Sequence, residues 1–127
     1  MNKTILLIVI SVTLTGILAH AQTGSGDRKT VWSAVYTAEQ AASGQEAFVR
    51  NCSGCHGDPA DYRQMGPGFK GSAFMERWRE YNADALFSLV RDTMPRDKPG
   101  ALDDQEYLAI VARMFQVNSF PPGMQAL

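Results

Sequence analysis

The sequence predicts an all-α fold on three grounds. Beyond residue 37, apolar side chains recur every three or four positions, as on one face of a helix. Two stretches begin with a residue that caps helix N-termini and carry Glu or Gln three positions later. No stretch sustains the alternation of apolar and polar residues that predicts a strand. The 127 residues, of net charge −1, suffice for one domain and lack the overall basic field that attracts nucleic acid.

The first predicted helix runs from about residue 38 to residue 51. Thr37 and Gln40 form its capping box. Gly44 lies inside this helix, where glycine costs about 1 kcal/mol relative to alanine. It is either a tolerated weak point or a place where another helix crosses closely. One stripe of the helix, with residues three or four positions apart, comprises Ala41, Gly44, Phe48 and Cys52.

The last predicted helix is the candidate for that crossing. Asp103 is its expected N-cap, with Glu106 three residues later. It should end near Val117-Asn118, before two consecutive prolines. Its apolar face comprises Tyr107, Leu108, Ile110, Val111, Met114 and Phe115.

Two shorter helices are predicted between these, over residues 72–79 and 82–93. Asn82 is the expected cap of the second. Met94 comes next and precedes Pro95, which disfavours a helical conformation in the residue before it. The Met94 side chain should therefore project from a loop.

The motif Cys52-Ser53-Gly54-Cys55-His56 is the most specific feature of the chain. C-x-x-C-H is the attachment pattern of c-type haem, in which each thiol adds to one vinyl group and the histidine binds the iron. A redox pair or a zinc site is the alternative. The first needs a βαβ pattern that is not found, and the second would lack a fourth ligand unless a carboxylate supplied it.

Residues 1–21 are predicted to be a signal peptide cleaved after Ala21, which places the protein in the periplasm. Lys3 precedes an apolar run, and Ala19-His20-Ala21 fits the signal-peptidase rule. The run is shorter than the roughly 20 residues of a spanning helix, so no stable membrane insertion is expected, although an uncleaved anchor is the alternative. Cleavage would leave His56 as the only histidine. Residues 22–36 are expected to form a flexible leader.

These features resemble class I (mono-haem) cytochrome c. The resemblance rests on Gly44, Phe48, the C-x-x-C-H motif, the Met-Pro pair at residue 94 and the aromatic Tyr107. It implies that residues 37–118 form a cytochrome c domain, with the N- and C-terminal helices crossing around one covalently bound haem c. A tail, residues 119–127, would follow. The flanking sequences are similar to small cytochrome c domains associated with quinoprotein (PQQ) dehydrogenases.

The second axial ligand is expected to be a methionine. Met94 matches the family's Met-Pro ligand position, and Met65 is the next candidate. Met114 lies on the apolar stripe of the last helix, where a core role is simpler. The remaining alternative is an open sixth position on the iron.

Two further residues are expected at the haem. The loop from Met65 to Gly71 resembles the family's G-P-x-L-x-G loop, which implies that the Pro67 carbonyl accepts a hydrogen bond from the proximal His56. Phe69 departs from the usual leucine. The indole N–H of Trp78 could reach a haem propionate, although a core role is equally compatible with the sequence.

The predicted function is electron transfer by a His/Met-ligated haem, without enzymatic activity. Redox proteins are the expected partners. A quinoprotein dehydrogenase is one candidate for the electron donor. A haem-based gas sensor or a small peroxidase-like enzyme with an open sixth position is the alternative, and a thiol oxidoreductase is a weaker one. The chain could also be a tightly bound subunit of a dehydrogenase rather than a free carrier.

Overall fold

A computed structural model describes residues 29–57 and 66–127. In these residues the secondary structure is helical, and the only strand-like pairing is an isolated bridge between Thr30 and Asn82. The predicted signal peptide and the first part of the leader lie outside the described residues. The helices of the described part are α1 (Ala38–Asn51), α2 (Ser53–His56), α3 (Ser72–Trp78), α4 (Ala83–Thr93) and α5 (Asp104–Val117).

The starts of the three longest helices follow from local capping. The side-chain oxygens of Thr37, Asn82 and Asp103 each accept a hydrogen bond from the backbone N–H three residues later, at 3.1, 2.9 and 2.8 Å. Each bond satisfies one of the N–H groups that a helix leaves without an intrahelical partner. The all-α prediction and these three caps are confirmed. The one-turn helix α2 was not predicted.

Helices α1 and α5 pack directly against each other at Gly44. A Cβ atom at this position would overlap the backbone carbonyl of Ala109 and lie 3.1 Å from the Cβ of Arg113. The predicted close crossing of the two helices is therefore confirmed, and the glycine is there because nothing larger fits between the backbones. The core beside this crossing comprises Phe48, Tyr107, Ile110, Val111 and Phe115, all of them buried.

The structure corrects the predicted domain limits at both ends. Val31 and Tyr36, from the supposed flexible leader, are buried in the core, and so is Phe120 from the supposed tail. The Tyr36 hydroxyl donates a 2.7 Å hydrogen bond to the Phe120 carbonyl, which joins the two segments. The packed domain therefore extends beyond residues 37–118, because the aromatic side chains of both flanks bury against the helices.

The described helices are short relative to a lipid bilayer. In residues 29–57 and 66–127, no helix is both long enough and apolar enough to cross a membrane.

Replacing Gly44 with alanine should destabilise the protein, because the added methyl group meets the Ala109 backbone. Overpacking of this kind typically costs about 1–3 kcal/mol, and Gly44→Val should cost more than Gly44→Ala. Denaturant unfolding of the haem-loaded protein measures the effect. Ser43→Ala, an exposed change in the same helix, is the control and should be neutral or slightly stabilising. A Gly44→Ala variant more stable than the wild type would contradict the close crossing.

Candidate haem-binding site

A cavity of about 650 Å³ brings the predicted site residues together. Its volume falls in the range of about 300–1,000 Å³ that is typical of small-molecule and cofactor sites. A smaller cavity of about 410 Å³ lies between Lys29, the start of α4 and the C-terminal residues, and contains none of the predicted site residues. The predicted residues that line the larger cavity are Cys52, Cys55, His56, Pro67, Trp78 and Met94.

The end of α1 and the short α2 position the C-x-x-C-H residues. The Cys52 N–H closes α1 by donating a 2.8 Å hydrogen bond to the Phe48 carbonyl, and the His56 N–H bonds to the Cys52 carbonyl at 3.0 Å. One helical turn therefore separates Cys52 from His56, and both side chains reach the same cavity. Cys52 is half-buried, while Cys55 is exposed.

The His56 ring is held in one orientation by its neighbours. The ring is buried, with 8 % of the residue exposed, and its Nδ1 atom lies 3.3 Å from the Pro67 carbonyl oxygen. Since a carbonyl can only accept, Nδ1 must carry the hydrogen of this pair. In the neutral imidazole, the lone pair of Nε2 is then free for a metal ion.

Gly66 and Phe69 form the wall against which the imidazole rests. A Cβ atom at Gly66 would overlap the His56 ring. The Phe69 ring lies 4.5 Å from the His56 ring and makes an edge contact, at 5.7 Å between centroids, with Phe48 of α1. The packing role of Phe69 was not predicted. Its apolar character was visible in the sequence, but its partners depend on the path of the loop.

Met94 is the C-cap of α4 and has the extended conformation expected before a proline. Its N–H donates a 2.9 Å hydrogen bond to the Val90 carbonyl, and its own carbonyl accepts a 2.6 Å hydrogen bond from the Tyr107 hydroxyl. Met114 also lines the cavity, which the sequence did not indicate. The other candidate ligand, Met65, lies outside the described residues.

Trp78 lines the cavity from the end of α3. The Arg77 guanidinium lies over its ring at 5.4 Å, and the Tyr81 ring is 5.6 Å away. Trp78 is thus a wall of the site, and its hydrogen bond to a propionate stays a prediction.

The environment of Cys52 does not suit a thiol-based catalyst. Burial, followed by the charges of Cys55 and Glu106, raises the pKa of the Cys52 thiol to about 11. Reactive thiols of redox enzymes have lowered pKa values, because the thiolate is the nucleophile. Within the described residues, no three His, Cys, Asp or Glu side chains form a group that could hold a metal ion.

The residues of the cavity fit a covalently attached haem c. Two cysteine thiols and a histidine with a free Nε2 border a largely apolar space. Fold and site thus define a haem-binding domain of the cytochrome c type. The chain belongs to the family described as cytochrome C oxidase, cbb3-type, subunit III, which matches residues 39–114. No curated protein and no solved structure shows a significant match. Haem-based electron transfer is the function that this family implies.

Gly66→Ala should disturb haem binding, because the new methyl group would displace the His56 ring. We expect a several-fold lower ratio of haem to protein, or an altered ferrous absorption spectrum, in protein purified from the same expression host. Gly54→Ala is the matched control, since a Cβ atom there has no neighbour within 4 Å. A Gly66→Ala protein with the wild-type haem content and spectrum would show that the ring is not confined at this wall.

Proposed function

We propose that the protein carries single electrons in the periplasm on one haem c with His56 and Met94 as axial ligands. Cys52 and Cys55 would hold the porphyrin through thioether bonds. The observation that carries this proposal is that His56 and Met94 line one cavity. Each is also held by a hydrogen bond, His56 through its ring and Met94 through its backbone.

The chain's own residues would tune and protect the cofactor. A bound haem c supplies reversible one-electron chemistry between ferric and ferrous iron. The Pro67 carbonyl would keep His56 in the tautomer that presents Nε2, which orients the ring. The Met94 thioether, a neutral and soft ligand, would favour ferrous iron and raise the reduction potential relative to a second imidazole. Two protein ligands would leave no position for a substrate.

The alternative to an electron carrier is a gas sensor or a peroxidase-like enzyme, in which the sixth coordination position of the haem iron would be open. In that case the native ferrous protein would bind carbon monoxide readily. The hydrogen bonds on both backbone groups of Met94 favour the ligated form, because they keep this residue at the cavity.

Met94→Ala should open the iron while leaving the fold mostly intact. We expect loss of the methionine-sulfur charge-transfer band of the ferric protein and a lower reduction potential, since the neutral sulfur no longer favours ferrous iron. Met114→Leu is the matched control, because Met114 is buried and lines the same cavity. If Met65→Ala abolishes the band and Met94→Ala does not, the assignment of Met94 is wrong.

Export and partner are the second part of the proposal. A basic residue, an apolar run and a small-x-small site support a signal peptide cleaved after Ala21. The similarity of the flanks supports a quinoprotein dehydrogenase as electron donor. The family description supports a terminal oxidase as acceptor. A net charge near zero supports a small, transient contact at the haem edge rather than long-range steering.

Mixing the oxidised protein with a quinoprotein dehydrogenase and its alcohol or sugar substrate should reduce the haem at a saturable rate. Arg96, which lines the cavity, and Lys98, in the same loop, lie where a partner would approach. Charge reversal at either should change the rate only a few-fold, because no large field steers the encounter. Lys29→Glu, beside the other cavity, is the control and should have no effect. Reduction no faster than that of an unrelated cytochrome would reject this donor.

A further inference from the structure

We propose that Tyr107 is a positioning residue that keeps Met94 at the haem iron. This inference rests on the proposed ligation by Met94. Tyr107 does not line the cavity, so its action must pass through Met94.

The contact is a hydrogen bond between a buried phenol and the backbone of Met94. Only 1 % of Tyr107 is exposed, and its hydroxyl donates to the Met94 carbonyl at 2.6 Å. The Met94 N–H is already bonded to Val90 in the last turn of α4. Both backbone groups of Met94 are therefore satisfied, one by its own helix and one by α5. Only the side-chain torsions remain free to direct the sulfur.

The same hydroxyl also closes the loop that follows Met94. It accepts a hydrogen bond from the Leu102 N–H at 3.4 Å, so one oxygen atom joins the two ends of the loop from residue 94 to residue 102. Within this loop, the Lys98 N–H bonds to the Pro95 carbonyl at 2.9 Å. On this proposal, displacement of the Met94 sulfur moves this loop as well, which would break the bond from the buried Tyr107 hydroxyl to the Met94 carbonyl.

The strength of this restraint can be measured by competition at the iron. Added imidazole replaces the methionine ligand of the ferric protein, and loss of the sulfur band reports the replacement. Suppose that the Tyr107 hydrogen bond forms only while the Met94 sulfur is bound to the iron. Tyr107→Phe then destabilises the Met94-ligated state relative to the imidazole-bound state by about 1 kcal/mol, the typical net contribution of one hydrogen bond. The apparent dissociation constant for imidazole should then fall about fivefold.

Tyr36 provides a closely matched control. It is as buried as Tyr107, and its hydroxyl also donates to a backbone carbonyl, that of Phe120, at 2.7 Å. Tyr36→Phe should lower the free energy of unfolding by a similar amount and leave imidazole binding unchanged. A Tyr107→Phe protein with the wild-type dissociation constant, or an equal shift in Tyr36→Phe, would overturn the proposal.

Two further measurements keep the test decisive. Met94→Ala, titrated in parallel, shows whether Met94 is the ligand at all, so a failed ligand assignment is distinguished from a failed role for Tyr107. In the unmutated ferric protein, saturating imidazole should displace Met94 and speed the exchange of the Tyr107 hydroxyl proton but not that of Tyr36. Equal protection of the Tyr107 proton with and without imidazole would contradict the proposal.

Discussion

The close approach of α1 and α5 is the constraint on which the rest of the structure depends. Because Gly44 has no side chain, the backbone of α1 lies against the Ala109 carbonyl of α5. This contact lets the large side chains on either side of it pack almost fully out of contact with water, and it fixes the direction of α1. The end of α1 leads directly into Cys52 and α2. The position of His56 relative to α5 therefore follows from a contact several residues earlier in the chain.

Helix α5 then holds both sides of the haem cavity. Near its start, Tyr107 bonds to the carbonyl of Met94. At its end, the Asn118 side-chain amide donates to the carbonyls of Phe69 and Met114, at 2.5 and 2.8 Å, and its oxygen accepts from the Gly71 N–H at 3.1 Å. The bonds to Phe69 and Gly71 fix the loop that carries Pro67. One helix thus restrains the loop beside His56 and the loop that contains Met94.

The features that could be predicted from the sequence are those encoded over a few neighbouring residues. Thr37, Asn82 and Asp103 cap helices through hydrogen bonds that span three positions. The first residue of each helix could therefore be predicted without knowledge of the tertiary structure. The C-x-x-C-H motif is equally local. Contacts between distant segments were not visible. The burial of Tyr36 against Phe120 and the bond from Tyr107 to Met94 depend on how the helices cross. In the sequence, residues 22–36 are mostly polar with a few aromatic residues, which is typical of a flexible leader. The aromatic residues of this segment have partners only because the helices cross as they do.

The hydrogen bonds that restrain Met94 bear on the choice between an electron carrier and a haem enzyme. A vacant sixth position requires that Met94 stay away from the iron or leave it readily. In this structure, the backbone of Met94 is bonded on both sides and its side chain borders the cavity. Groups held in place by packing and by supporting hydrogen bonds move little when the charge at a site changes. A one-electron carrier benefits from such rigidity, since it must bind neither oxygen nor substrate at the iron. With Met94 as the proposed ligand, the hydrogen bonds on its backbone support electron transfer over gas binding, independently of family membership.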